Sequence, residues 1–109
     1  MPRLTSRFWV DAYLARLRLA DVPAFVVAHG DDTAGSVLVK LNTLDGQAQL
    51  FQRTYHLLED RQQWDNTLSD AEDVVDATVA RQRDVDPDLW VIEVEDRTGR
   101  HLLDEPGFA

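Results

Sequence analysis

Ser36-Val37-Leu38-Val39-Lys40-Leu41-Asn42, then Thr43-Leu44-Asp45-Gly46, then Gln47-Ala48-Gln49-Leu50-Phe51-Gln52-Arg53-Thr54-Tyr55 is the stretch that decides the fold. In the first run Val37, Val39 and Leu41 alternate with Ser36, Leu38, Lys40 and Asn42, the two-residue period of a strand. The second run has the same strand character. Asp45-Gly46 between them marks a hairpin, because tight hairpin turns require positive φ and glycine adopts it freely. Lys40 falls on the polar face, where an exposed strand lysine commonly guards a sheet against edge pairing.

Working outward, Pro23 to His29 is an apolar run that predicts another strand, joined to the hairpin by the turn-rich loop His29-Gly30-Asp31-Asp32-Thr33-Ala34-Gly35. Upstream, Trp9, Val10, Tyr13, Leu14 and Leu17 recur at three- and four-residue spacing. They predict a helix over Ser6–Ala20, capped by Thr5 or Ser6 and stopped by Asp21-Val22-Pro23. Downstream, residues 57–68 are polar, and Trp64 and Leu68 at a four-residue spacing suggest a short helical turn. Ser69-Asp70-Ala71-Glu72 then fits a capping box. It opens a helix whose stripe is Val74, Val75, Thr78 and Val79, with Arg81 and Arg83 near its C-terminal end. Asp86-Pro87-Asp88 launches a strand over Leu89–Glu95, and Asp96-Arg97-Thr98-Gly99 turns into Arg100-His101-Leu102-Leu103 as a last hairpin.

The expected architecture is a single α+β domain spanning residues 1–109, with a mostly antiparallel sheet of about five strands and two main helices in the order α-β-β-β-α-β-β. Both helices are expected on one face of the sheet. The predicted core is Trp9, Tyr13, Leu17, Val37, Val39, Leu41, Val75, Val79, Trp90, Ile92 and Val94.

Composition narrows the function classes. The 109 residues hold 20 acidic and 11 basic side chains and no cysteine, for a net charge of −9. One domain fits that length. Without cysteine there is no disulfide framework, thiolate metal site or thiol nucleophile. A surplus of acid argues against nucleic-acid binding, which needs a basic surface. No apolar run approaches bilayer length and no signal peptide is evident, so a soluble cytoplasmic protein without membrane contact is expected. The acid is concentrated. Residues 1–56 carry six basic and five acidic side chains (+1), and residues 57–109 carry five and fifteen (−10). An acidic half of this kind either marks a face for a basic or Arg-rich protein partner or simply keeps a small domain soluble.

Arg3-Leu4-Thr5-Ser6…Trp9-Val10…Tyr13-Leu14, Gly35 to Asn42, and Asp86-Pro87-Asp88-Leu89-Trp90-Val91-Ile92-Glu93-Val94-Glu95-Asp96-Arg97 resemble a small alphaproteobacterial family of unknown function, DUF1491. The resemblance covers nearly the whole chain. It implies a stand-alone domain of this size, and supplies no activity, cofactor or catalytic residue.

The residues offer few chemistries. Asp84-Val85-Asp86-Pro87-Asp88 opens like a calcium loop, but Leu89 stands where the loop needs glycine. No phosphate loop, nucleophile elbow or dinucleotide fingerprint occurs, and no cofactor or metal is called for. A speculative polar site is left to His29, Asp31, Asp32, His56, Glu93, Glu95 and His101, which could serve acid–base or metal chemistry if the fold brought them together. Arg97 or Arg100 is expected to neutralise the Glu93/Glu95 pair. Trp64, standing in a polar segment, is a candidate partner contact if exposed. The leading expectation is a small non-catalytic protein acting through protein contacts, with a homodimer as one form. The alternative is a small hydrolase built on the His/Asp/Glu set.

Overall fold

A computed structural model describes residues 4–108; Arg3 of the opening motif lies outside them. The elements run α1 (Ser6–Leu19), β1 (Ala24–Ala28), β2 (Val37–Asn42), β3 (Gln47–His56), β4 (Arg61–Ala71), α2 (Glu72–Val85) and β5 (Trp90–Glu95). The fold class is α+β as expected, and its order is α-β-β-β-β-α-β. One five-stranded sheet has the strand order β1-β5-β2-β3-β4, antiparallel except for the parallel pair β2–β5.

The alternation along β2 sends its two faces into two cores. Val37, Val39 and Leu41 join Trp9, Val10, Tyr13 and Leu17 of α1, together with Trp90, Ile92 and Val94 of β5. On the opposite face Leu38 joins Ala48, Leu50, Leu89 and Val75 of α2. The helices therefore lie on opposite faces of the sheet, where one face was expected. All six residues of β2 are buried. On α2 the stripe narrows to Val75, with Val79 partly buried and Val74 exposed.

Two segments depart from expectation. Residues 61–71 form an edge strand where a helical turn was predicted. A bulge at Thr67, which is skipped between the partners of Leu50 and Phe51, sets Leu68 opposite Leu50 and Trp64 opposite Arg53. Trp64 thus reaches the α1 face and Leu68 the α2 face. The bulge breaks the two-residue period, and the four-residue spacing that remains imitates a helix. The capping box fails for the same reason, since Ser69 and Asp70 are still in β4. Ala71 is the N-cap without any side-chain cap. Gly46 O accepts the Glu72 amide instead, at 2.9 Å.

The second departure is at the C-terminal end, where Arg100–Leu103 forms no strand. β5 is already paired on both sides, by β1 and β2, so no free edge is left for a sixth strand. The segment folds over α1. Asp96 Oδ2 accepts the Arg100 amide at 2.7 Å, Tyr13 donates to His101 O at 2.7 Å, and Arg16 forms a two-point bond with Glu105 at 2.8 and 2.7 Å.

Lys40 is the largest correction. It is 4% exposed, in the centre of the sheet, with Nζ 2.7 Å from Glu72, 2.6 Å from Asp76 and 3.1 Å from Glu93. Burial alone would lower its pKa, but the bonds from Asp76, Glu72 and Glu93 outweigh that and hold the ammonium above the ordinary lysine range. Lys40→Met should destabilise the fold by about 3 kcal/mol, because three carboxylates lose their cation. A lower urea midpoint at unchanged slope is the expected readout. The folded chain holds the proton more tightly than the unfolded one. The Lys40 contribution is therefore complete below the unfolded lysine value of about 10.4 and fades only as pH rises through the folded value. Between about pH 7 and pH 9 the gap between variant and parent should stay flat.

Candidate functional site

The seven residues of the speculative polar site divide among separate places. The loop 29–35 is structural. Its Asp32 and Thr33 carbonyls accept the Arg7 and Ser6 amides at the start of α1 at 2.8 and 3.1 Å, and Asp31 O accepts from Trp90 Nε1 at 2.7 Å. The Asp31 carboxylate turns inward to the Thr33 and Ala34 amides. Gly35, and Gly30 at its other end, sit so close to the Asp88 carbonyl that a Cβ would fall 2.4 and 2.2 Å from it. His29 pairs with Asp32 at 2.7 Å and lies over the Trp90 ring. The loop closes α1 and is spoken for.

His56 and Thr54 lie on β3, facing Asp65 of β4. Asp65 Oδ2 and Thr54 Oγ1 both approach the same ring atom, His56 Nε2, at 2.6 and 3.1 Å, and Thr54 also bonds Asp65 directly. A catalytic triad needs the histidine to hold its acid through one nitrogen and its nucleophile through the other. Sharing Nε2 gives a local polar clasp on an edge hairpin instead. The Thr54 and His56 bonds hold Asp65 below the usual carboxylate range.

Of Glu93 and Glu95, Glu93 is engaged inside the sheet. Glu93 serves Lys40 and lies 3.4 Å from Asn42 Nδ2. Neither arginine expected beside them arrives: Arg97 donates to Leu44 O, and Arg100 holds Asp96 through Nη2 and Nε at 3.1 and 3.3 Å. Those bonds, with the Arg100 side chain foremost, hold Asp96 well below the usual carboxylate range. His101 is packed on the Phe51 ring, and its Nδ1 accepts the Leu103 amide at 3.0 Å. Among the described residues no three histidines or carboxylates are grouped as metal ligands.

Trp64 is half-buried rather than standing free. Its ring lies 5.2 Å from Trp9, and its Nε1 donates to Phe108 O at 2.6 Å. Trp9 stacks on Tyr13, and Phe108 meets both edge-on. Over this aromatic cluster lies the guanidinium of Arg53, with Cζ 4.8 Å from Trp9 and 4.9 Å from Trp64. The three centres make a nearly equilateral triangle, with the arginine resting on both indoles at once. Burial lowers the Arg53 pKa.

Arg53 lines a cleft of about 1020 Å³ that opens where β3 runs on past the start of β2. Its walls come from the first turn of α1, residues 33–36, β3 and the last turns of α2. Gln52 donates to Gln82 at 3.1 Å from the strand to the helix. Arg53 was not among the predicted site residues. It is one of ten arginines, and nothing local separates it from the others until β4 carries Trp64 beside it.

A second unpartnered surface is β1. It is an edge strand paired only with β5, and its residues Phe25, Val26 and Val27 are 47, 39 and 54% exposed.

A family model described as a protein of unknown function (DUF1491) matches residues 4–104. The chain belongs to the DUF1491 family. It is similar to a DUF1491 protein from Caulobacter crescentus CB15 seen by crystallography, at 39% identity over 94% of this chain and 95% of that one, with a TM-score of 0.81. An NMR structure of a DUF1491 protein from the same organism shares 37% identity over 97% of both chains, again with a TM-score of 0.81. The solution structure of protein Atu0922 from A. tumefaciens shares 26% identity over 86% of both, with a TM-score of 0.72. No curated protein matches the sequence.

In this DUF1491 protein each histidine ring is engaged, His29 by Asp32 and Trp90, His56 by Thr54 and Asp65, and His101 by Leu103 N and Phe51, and His101 gives the clearest test. Burial pushes its pKa below the ordinary histidine range, with Asp104 pulling weakly the other way. The folded state favours the neutral ring, whose Nδ1 must stay free to accept. Its contribution to stability is present above the unfolded value of about 6.5 and lost as pH falls through the folded one. An NMR titration should give His101 a midpoint below about 6.5. A midpoint at or above that value would mean a solvated ring.

Proposed function

We propose that this DUF1491 protein is a non-catalytic cytoplasmic domain that works through protein contacts, and that its contact strand is β1, paired with β1 of a second copy. The observation that carries the reading is the composition of that edge. Ala24-Phe25-Val26-Val27-Ala28 has no charge, no polar side chain and no proline, although edge strands are usually blunted by charged side chains or proline. A two-fold axis places like residues across the interface, so a neutral apolar strand complements itself where a charged one would repel. Antiparallel pairing at such an edge would continue the sheet into the partner.

Two features limit the strength of the association. A bulge between Val26 and Ala28 shortens the straight part of the strand. Each copy also carries −9, so the two repel at low ionic strength. Salt should therefore strengthen this dimer, whereas it would weaken binding to a basic partner. The hydrolase alternative receives less support, because its histidines and carboxylates fall in separate places and, Glu95 apart, are engaged in hydrogen bonds or ion pairs.

Sedimentation velocity across a concentration series, at low salt and at about 0.5 M, tests the reading. The expected result is a monomer–dimer equilibrium that shifts toward dimer with salt. Val27→Lys and Phe25→Lys should hold the chain monomeric with little change in thermal midpoint. A parent chain that stays monomeric throughout, or lysine variants that dimerise equally well, would sink the proposal.

A further inference from the structure

The charged side chains lining the cleft are Arg53 and Arg81 against the single carboxylate Asp86, a local balance of +1 in a chain of −9. Arg53 is the more telling of the two. Other arginines that fold back on the protein have acceptors: Arg16 has Glu105, Arg100 has Asp96, and Arg83 has the His29 and Pro87 carbonyls. Among the described residues the Arg53 guanidinium has neither a hydrogen bond nor an ion pair, and its Nε is sealed from water without a partner. Leaving a half-buried charge so poorly matched costs free energy. The indole faces of Trp9 and Trp64 offset part of that and fix the side chain in place. Among the described residues such a guanidinium is held in place without a counter-ion.

We infer that the cleft binds a small oxyanion, a phosphate or carboxylate group carried on an apolar stem, with Arg53 as the anion contact and Arg81, on the α2 side of the cleft, adding to its positive field. A planar guanidinium matches either group through two parallel N–H···O bonds. Val37 lines the cleft on the α1 side and Leu38, Val85 and Leu89 line it toward α2, which gives an apolar stem a path away from Arg53. The start of α1 plays no part, since its first amides are already taken by the loop 29–35. The site is separate from the β1 edge and stands or falls independently of it.

The test is a heteronuclear NMR titration of the full chain with inorganic phosphate and, in a parallel arm, with succinate, each against chloride at matched ionic strength. The indole N–H resonances of Trp9 and Trp64, beneath Arg53, are the reporters. A saturable shift of both is expected, with the tighter arm identifying phosphate or carboxylate as the ligand group. Arg53→Gln should weaken binding at least tenfold, and Arg53→Lys should retain part of it. Arg81→Gln, on α2, should weaken binding about threefold and guards against loss of fold in the Arg53 variants. Shifts that do not saturate, that chloride reproduces, or that persist unchanged in Arg53→Gln and Arg81→Gln overturn the inference.

Discussion

The sheet of this protein is organised around one buried cation. Lys40 lies in the central strand, and its three carboxylates come from α2 and from β5. Glu72 and Asp76 are four residues apart on α2, a spacing at which like charges destabilise a helix unless something neutralises them. Lys40 supplies that neutralisation, and Asn42 Nδ2 adds a bond to Glu72 at 3.0 Å. The helix is thereby fixed at its first turn directly after β4, with no loop between them. The parallel pairing of β2 with β5 puts Glu93 opposite Lys40, so the same cation also binds the last strand to the second. Helix position and strand order both meet at this ammonium.

That arrangement explains what the sequence made legible and what it did not. α1 and the β2–β3 hairpin could be read locally because their periods are unbroken and their turn residues are specific. Gly46 adopts φ of +85° where the hairpin requires it. β4 could not be read, because a polar edge strand has little hydrophobic pattern to begin with and its bulge disguised what there was. The last hairpin was misread for a different reason. Arg100–Leu103 has a plausible strand composition, but whether it pairs depends on whether β5 has a free edge, and that is decided by β1 some seventy residues earlier. Lys40 shows the same limit. A lysine in an alternating strand reads as surface until the topology surrounds it with strands on both sides and a helix above.

The candidate site was legible only in its parts. Histidines and aspartates drew attention because they are versatile, yet the fold spends Asp31 on a turn, His101 on a backbone amide and Glu93 on Lys40. Arg53 and the Trp9–Trp64 pair carry the less ordinary chemistry. Trp64 was noticed as an aromatic residue in polar surroundings, which is also why a contact role suggested itself. Its true neighbour, Arg53, is eleven residues away across the β3–β4 hairpin. Only the strand register makes them adjacent, and the register depended on the strand that could not be read.

The acidity of the chain gains a different meaning from these contacts. Several carboxylates of the −10 half are internal counter-charges or local clasps: Glu72, Asp76 and Glu93 face Lys40, Asp96 holds Arg100, Glu105 holds Arg16, and Asp65 faces His56. Acid used this way is an element of structure, and the net charge is weak evidence for a basic partner. The exceptions to the acidic surface are more informative. β1 is neutral, and the cleft beside Arg53 is locally positive. On a molecule whose remaining charge repels both its own copies and small anions at a distance, each of these surfaces must overcome that field to bind anything. A surface with little or no acid in so acidic a chain is therefore where binding costs least.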